Sequence, residues 1–150
     1  MRARVSGTLT RQAYQEGDHV KAGATLFSID RAPFEIALAQ ARATLAQDRA
    51  DLERAEREAA RLKPLADEKA ISRKEYDDAT TSLQTAQAAV AASEARVRDA
   101  ELSLSYTEVV APISGVTGRA QYSLGTLVAA GGDSSLLTTM SIIDPVWVRF

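Results

Sequence analysis

From Pro33 to Thr107 the chain contains no glycine, and all eight glycines lie outside that stretch. No other feature constrains the fold so strongly. A long run without glycine, holding only Pro33 and Pro64 as breakers, suits helix; segments punctuated by glycine suit short strands and turns. The middle also has a seven-residue period. Leu38, Leu45, Leu52, Ala59 and Ala66 recur at that spacing, with Ala41, Ala55 and Leu62 in a second row that only Asp48 interrupts. A second series follows: Tyr76, Leu83, Val90, Val97 and Leu104, with Ala79, Ala86, Ser93 and Ala100 between them. Two rows of apolar residues repeating every seven are the signature of helices packed as a coiled coil. One large and one small residue per repeat suits two helices in close approach.

The ends of these helices are also legible. Pro33 suits a first helical turn, and Pro64 should kink the first helix or begin its termination. Ser72-Arg73-Lys74-Glu75 has the form of a capping box, in which the serine and the glutamate satisfy each other's backbone N–H. The expected helices are residues 33–67 and 72–107, joined by a short connection over 67–71 that makes them antiparallel neighbours. Each would be roughly 50 Å long at 1.5 Å per residue. Outward positions hold Arg42, Arg49, Glu53, Arg54, Glu56, Arg57 and Glu58 on the first helix, and Gln84, Gln87, Glu94, Arg96, Arg98 and Asp99 on the second. These residues make a solvated face.

The flanking segments are related to each other. Moved by 108 positions without a gap, Val5-Ser6-Gly7 falls on Ile113-Ser114-Gly115, Arg11 on Arg119, Tyr14 on Tyr122, Gly17 on Gly125, Val20 on Val128 and Gly23 on Gly131. Two copies of one strand-and-turn unit predict a sandwich of two similar half-sheets, split after its first half by the helical hairpin. The fold class expected is therefore α+β.

Composition narrows the chemistry. Lysine and arginine number 18 against 20 aspartates and glutamates, so the basic excess that a nucleic-acid surface needs is missing. There is no cysteine, which removes disulfides, thiolate catalysis and Cys-ligated zinc. His19 is the single histidine, expected in an exposed turn, so a multi-histidine metal site is excluded. The longest apolar-rich run, Leu136–Ile143, falls far below the roughly 20 residues of a spanning helix. A carrier of the swinging-arm type needs an acceptor lysine where the two half-motifs join. Here that junction, after Ile29-Asp30, holds the helical insertion, and Lys21 has Ala129 at its equivalent position. No Ser-His-Asp set or phosphate loop appears, and Gly131-Gly132-Asp133-Ser134 is a turn. An enzyme is not expected, nor a cofactor.

The segment LSYTEVVAPISGVTGRAQYSLGTLVAAGG, Leu104–Gly132, followed by LLTTMSIIDPVWVRF, resembles the periplasmic adaptors, or membrane fusion proteins, of resistance-nodulation-division (RND) efflux pumps. RVSGTLTRQAYQEGDHVKAGATLFSID, Arg4–Asp30, resembles the matching lipoyl half-motif. The resemblance covers nearly the whole chain. It implies a split lipoyl-like β-sandwich with its first half in 1–31 and its second in 108–140. The α-helical hairpin would occupy 32–107, and a truncated β-barrel domain would start in 141–150. It also implies that the chain is a fragment, without the signal or anchor of the full protein.

Further implications concern partners. In this family the hairpin tip meets a TolC-type outer-membrane channel through an arginine, a leucine four residues on and a serine seven further. Arg61, Leu65 and Ser72 fit that spacing. Arg61 and Leu65 lie one helical turn apart on one face, and Ser72 has the capping role besides. The resemblance further implies a periplasmic, inner-membrane-associated adaptor of a multidrug pump, meeting its RND transporter through domains mostly absent here and packing into a ring. An adaptor of an ABC-type or major-facilitator exporter, or a coiled-coil scaffold, is the alternative.

Overall fold

The computed structural model describes residues 1–142. The chain divides into two compact units: a β unit, formed by Met1–Phe34 with the part of the chain from Leu102 onward, and a helical unit, Glu35–Glu101. The α+β class and the interruption of one β unit by a helical pair are as the glycine distribution predicts.

The β unit contains β1 (Gly7–Gln12), β2 (His19–Val20), β3 (Thr25–Ile29), β4 (Glu108–Val110), β5 (Gly115–Thr117), β6 (Leu127–Val128) and β7 (Met140–Ser141). They form a four-stranded sheet in the order β4-β3-β1-β6 and a three-stranded sheet in the order β2-β5-β7, with every pairing antiparallel. The two halves exchange strands reciprocally. In one sheet Gly7 pairs with Val128 and Thr8 with Leu127; in the other Gly115 pairs with Val20 and Val116 with His19. Each pair is the other moved by the same 108 positions, with the roles of the halves reversed. Loop hydrogen bonds obey the same rule. Gly17 N–H donates to Thr117 O (3.0 Å) and Gly125 N–H to Leu9 O (2.8 Å); Ala22 N–H donates to Ser114 Oγ (2.9 Å) and Ala130 N–H to Ser6 Oγ (2.8 Å). The duplicated sequence therefore encodes a pseudo-two-fold unit in which each half pairs strands across to the other as well as within itself, through β1–β3 and β5–β7.

The turns that precede β2 and β6 depend on Gly17 and Gly125, at φ 89° and 85°. A Cβ at either position would meet nothing but would force the backbone out of its favoured basin. Leu9, Leu26, Phe27, Ile29, Val109, Ala111, Val128 and Leu137 are buried between the sheets, and Tyr14 meets Phe27 edge to face at 5.3 Å. His19 is exposed, as expected, but lies in β2 and not in a turn, because the turn ends one residue earlier. Of residues 141–150, Ser141 pairs with Val116 in β7, and 143–150 lie outside the described residues.

The helical unit consists of α1 (Ala32–Asp67) and α2 (Arg73–Ser105), whose outer turns lie in the β unit. Asp30 Oδ1 accepts the Ala32 N–H at 3.1 Å to start α1, and the buried Thr107 closes α2 by donating its hydroxyl to Leu104 O at 2.6 Å. Every residue of the two heptad rows is buried or half-buried, while most positions between them are exposed. Antiparallel pairing shows in the cross-helix bonds. Arg42 Nη2 meets Glu101 Oε1 at 2.8 Å and Arg49 Nη2 meets Glu94 Oε1 at 3.0 Å. Position advances by seven along α1 as it retreats by seven along α2. Asp48, the polar break in its row, accepts the hydroxyl of Ser93, which is only 2% exposed.

Candidate functional site

The candidate site is the turn that joins α1 to α2. The first helix runs through Pro64 and ends a turn later. Proline lacks an N–H to donate, but its carbonyl still accepts Glu68 N–H at 3.0 Å. Termination follows the Schellman pattern: Ala70 N–H reaches Leu65 O (2.8 Å) and Lys69 N–H reaches Ala66 O (3.1 Å). That pattern needs one residue in the left-handed region, usually glycine. Here it is Lys69, at φ 55°, the sole non-glycine residue with positive φ among the described residues.

The second helix starts on the capping box. Ser72 N–H and the Ser72 hydroxyl both donate to Glu75 Oε2 (3.0 Å each), and Glu75 N–H donates back to Ser72 Oγ (3.2 Å). The Ser72 N–H above all, and then its hydroxyl, hold the Glu75 carboxyl below the usual range. A Schellman stop followed by a capping box leaves little freedom in residues 68–72, so the turn is fixed by backbone bonds at one end and side-chain bonds at the other.

The three predicted tip residues flank this turn but do not bond to one another. Arg61 donates from Nε to Glu58 Oε2 (3.1 Å) and from Nη2 to Glu58 Oε1 (2.6 Å). This fork holds the guanidinium above its ordinary range and the Glu58 carboxyl below. Both side chains are exposed, at 66% and 47%, and the pair leaves one edge of the guanidinium free to donate. Leu65 is half-buried beside the helix seam and not fully presented to solvent. Ser72 is exposed, its hydroxyl engaged with Glu75. Sequence reasoning missed Lys69 and Glu58. Glu58 was legible as an acid three residues before an arginine; Lys69 carries no turn signal by residue type.

The site offers hydrogen-bond donors, cations and a small apolar surface, which suit contact with another macromolecule. Among the described residues no group of His, Cys, Asp or Glu could hold a metal ion, and no helix is long and apolar enough to cross a membrane.

Comparison with known proteins assigns this sandwich of two half-sheets, interrupted by a helical hairpin, to a family. The family model of the RND membrane fusion protein barrel-sandwich hybrid domain matches residues 1–140, and the chain belongs to that family. It is 44% identical over all of its 150 residues to the efflux pump periplasmic linker BepD of Brucella suis, and 40% identical over 99% of its length to the membrane fusion protein MtrC of Neisseria gonorrhoeae. It spans only 38% and 36% of those two proteins. Among solved structures, a MacA–MexA chimera containing the Pseudomonas aeruginosa MexA α-hairpin matches 91% of the chain and 43% of its own length, at TM-score 0.62 and 31% identity.

Proposed function

We propose that this chain supplies the β unit and the hairpin of a periplasmic adaptor in a tripartite multidrug efflux pump. The adaptor links an inner-membrane RND transporter to a TolC-type outer-membrane channel and performs no catalysis. The observation that carries the reading is the build of the tip. A turn fixed at both ends separates Arg61 and Leu65, one helical turn apart, from Ser72, and the Arg61 fork keeps a free donor edge. A guanidinium so placed suits carbonyls or carboxylates on a partner's helix ends, with Leu65 as an apolar anchor. Individually weak tip contacts gain strength when several copies ring one channel. The names of the relatives, a periplasmic linker and a membrane fusion protein, support the same reading, and so does a family model specific to RND systems.

The test replaces Arg61 or Leu65 by alanine in the full-length adaptor and measures drug susceptibility alongside the amount of folded protein. The expected result is loss of resistance at an unchanged adaptor level. Wild-type resistance in both variants would refute tip docking.

A further inference from the structure

Each of the five arginines of α1 meets a carboxylate, and one of them does so differently. Arg42, Arg49 and Arg54 each donate one hydrogen bond, to Glu101, Glu94 and Asp51, and Arg57 stands 3.6 Å from Glu53. Arg61 makes two bonds to one carboxylate, with Nε on Oε2 and Nη2 on Oε1 of Glu58, 3.1 and 2.6 Å long. A single bond leaves a guanidinium free to swing about it. Two parallel bonds fix its plane as well as its place.

The sequence leaves Arg61 no other carboxylate within one turn of its helix. Side chains meet at spacings of three and four residues. Around Arg61 those positions hold Arg57, Glu58, Pro64 and Leu65, while Asp67 and Glu68 lie six and seven residues on. The arginine on the other side of Glu58, Arg54, is four residues back and bonded to Asp51. The fork does little for the fold, because both its side chains are exposed and such a pair adds little to a helix. Its consequence is conformational. A free arginine samples many rotamers, and a partner that binds it must quench them. The fork to Glu58 quenches them beforehand. Two of the five guanidinium N–H groups are used by Glu58, and three remain on the rest of the group.

We infer that Glu58 is a positioning residue for the hairpin tip: it holds the Arg61 guanidinium in one orientation, free edge available to the outer-membrane channel, without touching the channel itself. This inference rests on the tip-docking reading. The gain at each tip is small, and it multiplies when several tips engage one channel. A competing role for Glu58 has the opposite sign. If the channel had to draw Arg61 away from Glu58, removing the carboxylate would tighten binding.

The experiment measures binding of the full-length adaptor to an immobilised TolC-type channel for Glu58→Ala, Arg61→Ala and the double variant, with unfolding followed in parallel. Alanine suits a helix interior, so Glu58→Ala should melt close to wild type. It should bind roughly threefold more weakly. Arg61→Ala should lose more, and the double variant should bind as Arg61→Ala does, since Glu58 acts through Arg61 alone. Glu58→Gln, with one acceptor oxygen and no charge, should fall between Glu58→Ala and wild type. Wild-type or tighter binding by Glu58→Ala, with Arg61→Ala impaired, overturns the positioning role and leaves tip docking standing. A double variant weaker than Arg61→Ala by the whole Glu58→Ala factor also overturns it, by giving Glu58 a contact of its own. Wild-type binding by both Arg61→Ala and Leu65→Ala overturns tip docking and the role of Glu58 together.

Discussion

The Ser93 hydroxyl donates to Oδ2 of Asp48 across the seam of the hairpin, at a level where both heptad rows otherwise hold apolar residues. Ser93 is buried there as deeply as any residue of the helical unit. A single polar pair in such a seam is satisfied in one register and orphaned in others, so it specifies alignment at some cost in stability.

Removing one partner should therefore hurt more than removing both. Asp48→Ala leaves the Ser93 hydroxyl buried without its acceptor, which costs about 1–3 kcal/mol. Asp48→Leu with Ser93→Ala restores the apolar row and should unfold at least as late as wild type. Urea unfolding followed by helical circular dichroism measures both. A double variant that unfolds earlier than wild type would show that the pair contributes net stability, against this account.

The reciprocal exchange of strands gives a second expectation. Gly17 and Gly125 hold equivalent turns at φ 89° and 85°, and both donate across to the other half. Alanine at either forces the left-handed basin and should cost about 1–2 kcal/mol. The two penalties should agree closely, because each turn supports the pairing of the opposite half. Thermal unfolding of the two single variants checks this; a large loss in one and none in the other contradicts the symmetry.

Acid should loosen the hairpin turn first. The Glu75 carboxyl is held below its ordinary value of 4.5 by the Ser72 N–H and hydroxyl. A depressed folded value means that the ionised cap stabilises the turn above about pH 4.5, and that this contribution fades as pH falls through the folded value. Protection of the first-turn amides of α2, measured relative to their intrinsic exchange rates, should fall over that range in wild type. In Glu75→Gln it should show no such step. An identical pH profile in both proteins would remove the capping box from the account.

The hairpin and the doubled β motif were legible because each rests on a repeating pattern: sevenfold apolar spacing in one, matched glycines in the other. The pairing between the halves was not, since spacing gives the strands but not their partners. Asp48 stood out as a break in its row, yet its partner follows only once the antiparallel register places it opposite Ser93. At the tip, Ser72 and Glu75 were readable from their spacing. Lys69 was not, because the turn takes its left-handed residue without the usual glycine. Leu65 was expected as an apolar anchor, and its half-burial against the seam limits how much of it a partner can reach.

Docking through the tip is the central claim, and photo-cross-linking in cells tests it most directly. A benzophenone amino acid placed at Leu65 in the full-length adaptor should capture the TolC-type channel, while the same probe at the exposed Leu127 of β6 should not. Capture from Leu65 that disappears with Arg61→Ala is the predicted result. Equal capture from Leu127, or none from Leu65 in cells whose pump still works, would contradict it.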